Sequence, residues 1–143
     1  MIRFLNKIKR ASFFTNSVDN IGGLETKVFP RYEENRFDKI AYSRIRLIEK
    51  AFHALKEADD SVASVTFTDY NNTLKVYVID QGEFKLFSDN SQSFVYLFTP
   101  LSGSFSYYYN EEEGKFYNTR DEHIMEEMLT RNVLKICKGY LDI

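Results

Sequence analysis

The sequence predicts an α+β domain, a two-layer sandwich with two helices packed on one face of a single antiparallel sheet of about six strands. Three observations carry this. Apolar residues recur at helical spacing over 38–58 and again over 119–138, and the stretch between them alternates with a period of two. The links between the alternating runs are short, which implies antiparallel neighbours. Rings make up 16% of the chain, with 13 Phe, 10 Tyr and no Trp, a composition that suits strands.

In the first helix, 38–58, Ile40, Ile45, Ile48, Phe52 and Leu55 fall on one side. Arg44, Arg46, Lys50, Lys56 and Glu57 fall mostly elsewhere, and 59–61 closes the element. Val65 and Phe67 then alternate with Thr66 and Thr68, and Leu74, Val76 and Val78 with Lys75 and Tyr77. Asn71-Asn72 and Asp80-Gln81-Gly82 supply turns. Four more strands follow at 84–87, 94–99, 105–109 and 115–117, separated by turn-forming groups at 88–91, 100–103 and 111–114.

The closing helix carries the fullest end signals. Thr119 and Glu122 fit a capping box. Asp121, Glu122, Glu126 and Glu127 come early and Arg131, Lys135 and Lys138 late, as the helix dipole prefers. Ile124, Met125, Met128, Leu129, Val133, Ile136 and Cys137 form its apolar stripe, and Gly139 is the expected stop.

At 143 residues the chain is one domain with room for a tail, and its 43% hydrophobic and 28% charged residues are ordinary for a globular protein. No run approaches the roughly 20 apolar residues of a membrane span. A single cysteine, Cys137, excludes an internal disulfide framework and multi-cysteine metal sites. With only His53 and His123 besides, any metal would be held mainly by oxygen. Cys137 reads as core and His53 as a surface or packing residue.

The formal charge of −2 is unevenly spread. Residues 1–18 hold Arg3, Lys7, Lys9 and Arg10 and no acid, interleaved with Phe, Leu, Ile, Ser and Thr. Segment 1–20 is expected to be a mitochondrial-type targeting sequence, with a frayed basic arm as the alternative. Residues 21–35, with Gly22-Gly23 and Pro30, read as a linker into a domain at 36–143. From residue 19 onward 15 basic residues face 21 acidic ones, a net of −6, which argues against nucleic-acid binding.

Two features suggest function. Alternation sets Val95 and Leu97 on one sheet face and Phe94, Tyr96 and Phe98 on the other, alongside some of Tyr107, Tyr108 and Tyr109. Two helices cover one face only, so these rings form a binding surface or a second small core under the linker. Glu57, Asp59 and Asp60 cluster at the end of the first helix, with Glu49 two turns back and Asp69 at the end of the next strand. Such a cluster is either a solvated face or a surface that attracts hard cations. No phosphate loop, catalytic triad order or zinc-spaced ligand set is present.

The element order and particular residues resemble the frataxin family from about Ile40 to Ile136. The most specific piece is Val95-Tyr96-Leu97-Phe98-Thr99-Pro100-Leu101-Ser102-Gly103, similar to that family's apolar–aromatic–Leu–x–x–Pro–x–Ser–Gly segment. Tyr107, Gly114-Lys115 and Glu127-Met128-Leu129 fall at further matching positions. The resemblance, to a divergent eukaryotic, mitochondrial-type member, implies an accessory protein of iron–sulfur cluster assembly. It would promote sulfur transfer or iron delivery on a complex of cysteine desulfurase and scaffold protein. It also implies weak iron binding, as Fe²⁺ or Fe³⁺, on an acidic ridge that maps here to Glu49, Glu57, Asp59, Asp60 and Asp38. Partner contact maps to Phe94, Tyr96, Phe98, Ser106 and Tyr108, and the implied location is the mitochondrial matrix or a mitochondrion-derived organelle. The expected acting form is a monomer.

This sequence departs from the family pattern in three ways. Arg44, Arg46, Lys50 and Lys56 dilute the ridge, Tyr96 replaces a tryptophan, and Ser106 stands where the family has a basic residue, with Phe94 in place of a polar one. Two other functions remain open from sequence. One is ferroxidase or iron storage on the ridge; the other is an unrelated small-ligand site walled by Phe94, Tyr96 and Phe98.

Overall fold

The computed structural model describes residues 27–143, so the basic opening segment lies outside the described residues. Helix α1 spans Glu34–Ala58. Its cap is Glu33, whose carboxylate accepts from the Arg36 N–H at 3.0 Å. The helix starts four residues before the expected 38, because Phe37 already belongs to the buried stripe with Ala41, Ile45, Ile48, Phe52 and Leu55. An uncommon Glu cap hid that start.

The strands are β1 Val62–Thr68, β2 Thr73–Val78, β3 Gly82–Asp89, β4 Phe94–Thr99, β5 Gly103–Asn110 and β6 Lys115–Asn118. They form one six-stranded sheet in the order β1-β2-β3-β4-β5-β6, every neighbour antiparallel. A short 3-10 turn at Tyr70–Asn72, with Asn71 and Asn72 both at positive φ, links β1 to β2. Asparagine tolerates that conformation better than most residues. Gly103 opens β5 at φ +89°, a value that favours glycine.

Helix α2 spans Met125–Ile136 and lies with α1 on the same sheet face. Leu74, Val76, Val78, Phe84, Leu86, Val95, Leu97, Tyr107 and Phe116 point inward from the strands. Met125, Met128, Leu129 and Val133 meet them from α2. Each fully buried Phe, Leu or Ile contributes roughly 1.5–3 kcal/mol through apolar burial.

The capping box is not formed. Helix α2 begins at Met125 with Ile124 as its cap and no side-chain cap bond. Thr119 Oγ1 is instead hydrogen-bonded to Ser106 Oγ at 2.8 Å, and Glu122 sits at φ +66°. Asn118 organises the turn: its Oδ1 accepts from the amides of Arg120 at 2.9 Å and Asp121 at 3.2 Å. The helix also stops before Gly139, which packs so tightly that an added Cβ would lie 2.8 Å from Leu55 Cδ1.

Residues 27–33 have no regular structure but lie against the sheet. Lys27 Nζ donates to the carbonyls of Thr119 and Arg120, and Phe29 sits 4.9 Å from Tyr108 and 5.9 Å from Phe94, ring centre to ring centre. Tyr32 donates its amide to Ser93 Oγ and its hydroxyl to the Tyr109 carbonyl. Its own ring stacks on Phe37, joining the strap to the core.

Candidate functional site

The outer sheet face is open at its centre and covered at one end. Phe87 on β3 is opposite Tyr96 on β4, their rings 5.3 Å apart and inclined by 29°. Phe87 also stacks on Phe98 at 6.0 Å and 15°. Phe98 is 43% exposed, Tyr96 is half-buried, and Ser106 lies opposite Tyr96 on β5. Burial, and then the nearby Asp89 carboxylate, raises the pKa of the Tyr96 hydroxyl.

Tyr108 is placed differently from its neighbours. It is only 1% exposed, with Phe29 against its ring. Phe94 sits under the same Phe29 and is half-buried. So the five sequence-derived contact residues separate into Tyr96, Phe98 and Ser106 in the open centre and Phe94 and Tyr108 beneath the strap. The tyrosine expected on the surface is covered because residues 27–33 supply the ring that alternation alone cannot foresee.

The carboxylates do not converge either. Asp59 is 2% exposed; its Oδ1 accepts from the Ser61 amide and hydroxyl and its Oδ2 from the amides of Lys138 and Gly139. The Ser61 hydroxyl, and then the amides, hold its pKa at about 2. Asp38 Oδ1 accepts from Asn72 and Asn90 Nδ2 at 3.0 and 2.9 Å, tying α1 to the turns beside β2 and β4. Glu49 pairs with Arg46 at 2.9 Å and His53 at 3.2 Å. Glu57 and Asp60 are exposed. Among the described residues no three His, Cys, Asp or Glu side chains are grouped to hold a metal ion.

The arginines of α1 are partly spent on structure. Arg44 donates to Glu126 and to the Gly114 carbonyl, both at 2.7 Å, and Arg46 lies 4.6 Å over the Phe67 ring. A further constellation, not foreseen from sequence, joins Asp121, His123 and Tyr107. His123 Nδ1 is 2.6 Å from Asp121 Oδ1, and His123 Nε2 is 2.6 Å from the Tyr107 hydroxyl. The carboxylate requires a proton on Nδ1, so Nε2 accepts from Tyr107 when the ring is neutral. Tyr107 is fully buried, which suits fixing the turn before α2 better than reacting with a solute.

Residues 30–139 match the family model of the frataxin-like domain. The chain belongs to the frataxin-like family. No curated protein matches the sequence. Among solved structures, trimeric frataxin from the yeast Saccharomyces cerevisiae, complexed with ferrous iron, is 19% identical with a TM-score of 0.59, over 80% of this chain and 94% of that one. The same yeast protein with its full-length N-terminus gives 20% and 0.54, over 82% and 85%. Frataxin from Psychromonas ingrahamii gives 18% and 0.57, over 78% and 97%. At such identities the likeness is one of fold.

In this frataxin-like chain the sequence-derived residues that lie in the open centre come from β4, Tyr96 and Phe98, and from β5, Ser106. Phe87, which stacks on both Tyr96 and Phe98, was not singled out from sequence, although it occupies the outward phase of its strand, as Lys75 and Lys85 do of theirs. Strict alternation through 83–87 places Phe87 outward. Phe29 carried no such signal, since its partners lie 65 and 79 positions away in Phe94 and Tyr108.

Proposed function

We propose that this frataxin-like protein is an accessory factor of iron–sulfur cluster assembly that promotes sulfur transfer or iron delivery on a complex of cysteine desulfurase and scaffold protein. The observation that supports this best is the open aromatic centre of the sheet, Phe87, Tyr96 and Phe98, on a chain of that family. Flat, partly buried rings with a polar tip are effective contact residues. Docking that favours one state of a partner shifts its equilibrium by the difference in contact energy between the states. The protein itself needs no reacting group for such a role.

Iron is treated as cargo. Glu57 and Asp60 are the members of the ridge whose carboxylates face solvent, whereas Asp59, Asp38 and Glu49 are already held by protein donors. Two exposed carboxylates leave most of a hexa-coordinate ion's sites to water, which fits weak, exchangeable binding of Fe²⁺ or Fe³⁺. The open centre of the sheet, rather than a closed pocket, also favours a macromolecular partner over a small ligand. The basic opening segment supports a mitochondrial or mitochondrion-derived location, and the monomer is taken as the acting form.

The test is the activity of the purified cognate cysteine desulfurase–scaffold complex with and without this protein, iron-free and with Fe²⁺. Stimulation is expected in both conditions. Tyr96→Ala should abolish it while changing the urea midpoint little, because Tyr96 is only half-buried on an outer face. Absence of both stimulation and binding by the unaltered protein would end this reading.

A further inference from the structure

Lys75 on β2 and Lys85 on β3 are direct cross-strand partners on the outer face. Like charges placed opposite one another across an antiparallel pair are destabilising. The register extends their row to Thr66 on one side and to Phe98 and Ser104 on the other, so the row contains no carboxylate. Glu83 stands in the next row, opposite Tyr77, and the ion pairs of the described residues include neither it nor either lysine. Lys85 Nζ lies instead 5.2 Å over the Phe87 ring, the ring that stacks on Tyr96 and Phe98. Local rules broken without internal compensation are characteristic of functional surfaces.

We propose that Lys75 and Lys85 form the anion-accepting end of the docking face and receive Asp or Glu carboxylates of a partner protein whose apolar side chain lies on the neighbouring rings. The inference rests on the docking reading above and adds the chemistry of the segment that docks. A carboxylate between the two ammonium groups removes their mutual repulsion, so the anion is bound more strongly than by one lysine alone. The position is also informative: Ser106, across from Tyr96, carries no charge, and the facing lysine pair lies two and three strands away from it, on β3 and β2. An acidic protein segment fits better than a nucleic acid. Two lysines neutralise few phosphates, and residues 19–143 carry a net −6 that repels a long polyanion.

The experiment measures binding of the full chain to the purified cysteine desulfurase–scaffold complex by calorimetry at low and high salt, with polyuridine RNA as a second probe. Lys75→Glu/Lys85→Glu should weaken complex binding by about tenfold at low salt and flatten its salt dependence. Lys75→Glu alone should also weaken binding, yet raise the urea midpoint, because it sets opposite charges across the two strands. Rising stability with falling affinity separates a docking role from a structural one. If Tyr96→Ala loses binding while the double reversal binds like the unaltered protein, the lysine proposal fails and the docking reading stands. If the unaltered protein does not bind, both fail. Tighter binding of polyuridine than of the protein complex would overturn the acidic-segment assignment.

Discussion

Asp59 caps the end of α1 and, with the same carboxylate, holds a segment of chain 79 and 80 residues further on. Its pKa of about 2 lies below the ordinary 3.8, so its charged form is favoured by folding. The stability it contributes is therefore complete above the ordinary value and is lost as pH falls towards 2. Asp59→Asn should cost about 1–3 kcal/mol at neutral pH, the scale for charged hydrogen bonds. It should also flatten the acid limb of a urea-midpoint-against-pH curve. An unchanged midpoint at pH 7 would mean that the Lys138 and Gly139 amides find other acceptors. Sequence showed three acids within four positions and no way to tell them apart. What separates Asp59 from Glu57 and Asp60 is the return of the chain at Lys138, which no local pattern encodes.

Among the elements, the strands were legible because one face of the sheet is buried and the other is not, which writes a period of two into the chain. Phe84 and Leu86, or Val95 and Leu97, could not occupy the other phase without emptying the core. The start of α2 was not legible. Thr119 and Glu122 satisfy the local rule for a capping box, but Asn118, Ser106 and His123 offer competing bonds that arise only once β5 and β6 are paired. Tyr107 is the inward anchor of this turn. Tyr107→Phe should remove the donor to His123 Nε2 and destabilise the fold by about 1 kcal/mol, measured by denaturant unfolding. The amides of 119–124 should exchange faster with solvent, since His123 also accepts from the Asn118 amide. Uniform loss of protection across the sheet would instead mark Tyr107 as a packing residue alone.

For the whole molecule, the two-layer arrangement separates two surfaces that sequence places side by side in a list. Glu57 and Asp60 lie at the end of a helix in one layer, while Phe87, Tyr96, Phe98 and the lysine pair lie on the outer face of the other. The strap from Lys27 to Tyr32 fixes the boundary of that outer face by burying Tyr108 and half-burying Phe94. Surfaces on separate layers with no shared side chain are expected to behave additively. Glu57→Gln/Asp60→Asn should thus reduce Fe²⁺ binding, followed by anaerobic titration calorimetry, while leaving the affinity for the iron-free desulfurase–scaffold complex unchanged. Tyr96→Ala should do the reverse. Because both carboxylates are exposed and neither makes an ion pair or side-chain hydrogen bond among the described residues, the urea midpoint of the double variant should stay within about 0.5 kcal/mol of the parent. Loss of partner affinity in the double variant would show that the carboxylate edge also meets the partner, and that iron and partner compete for one surface instead of occupying two.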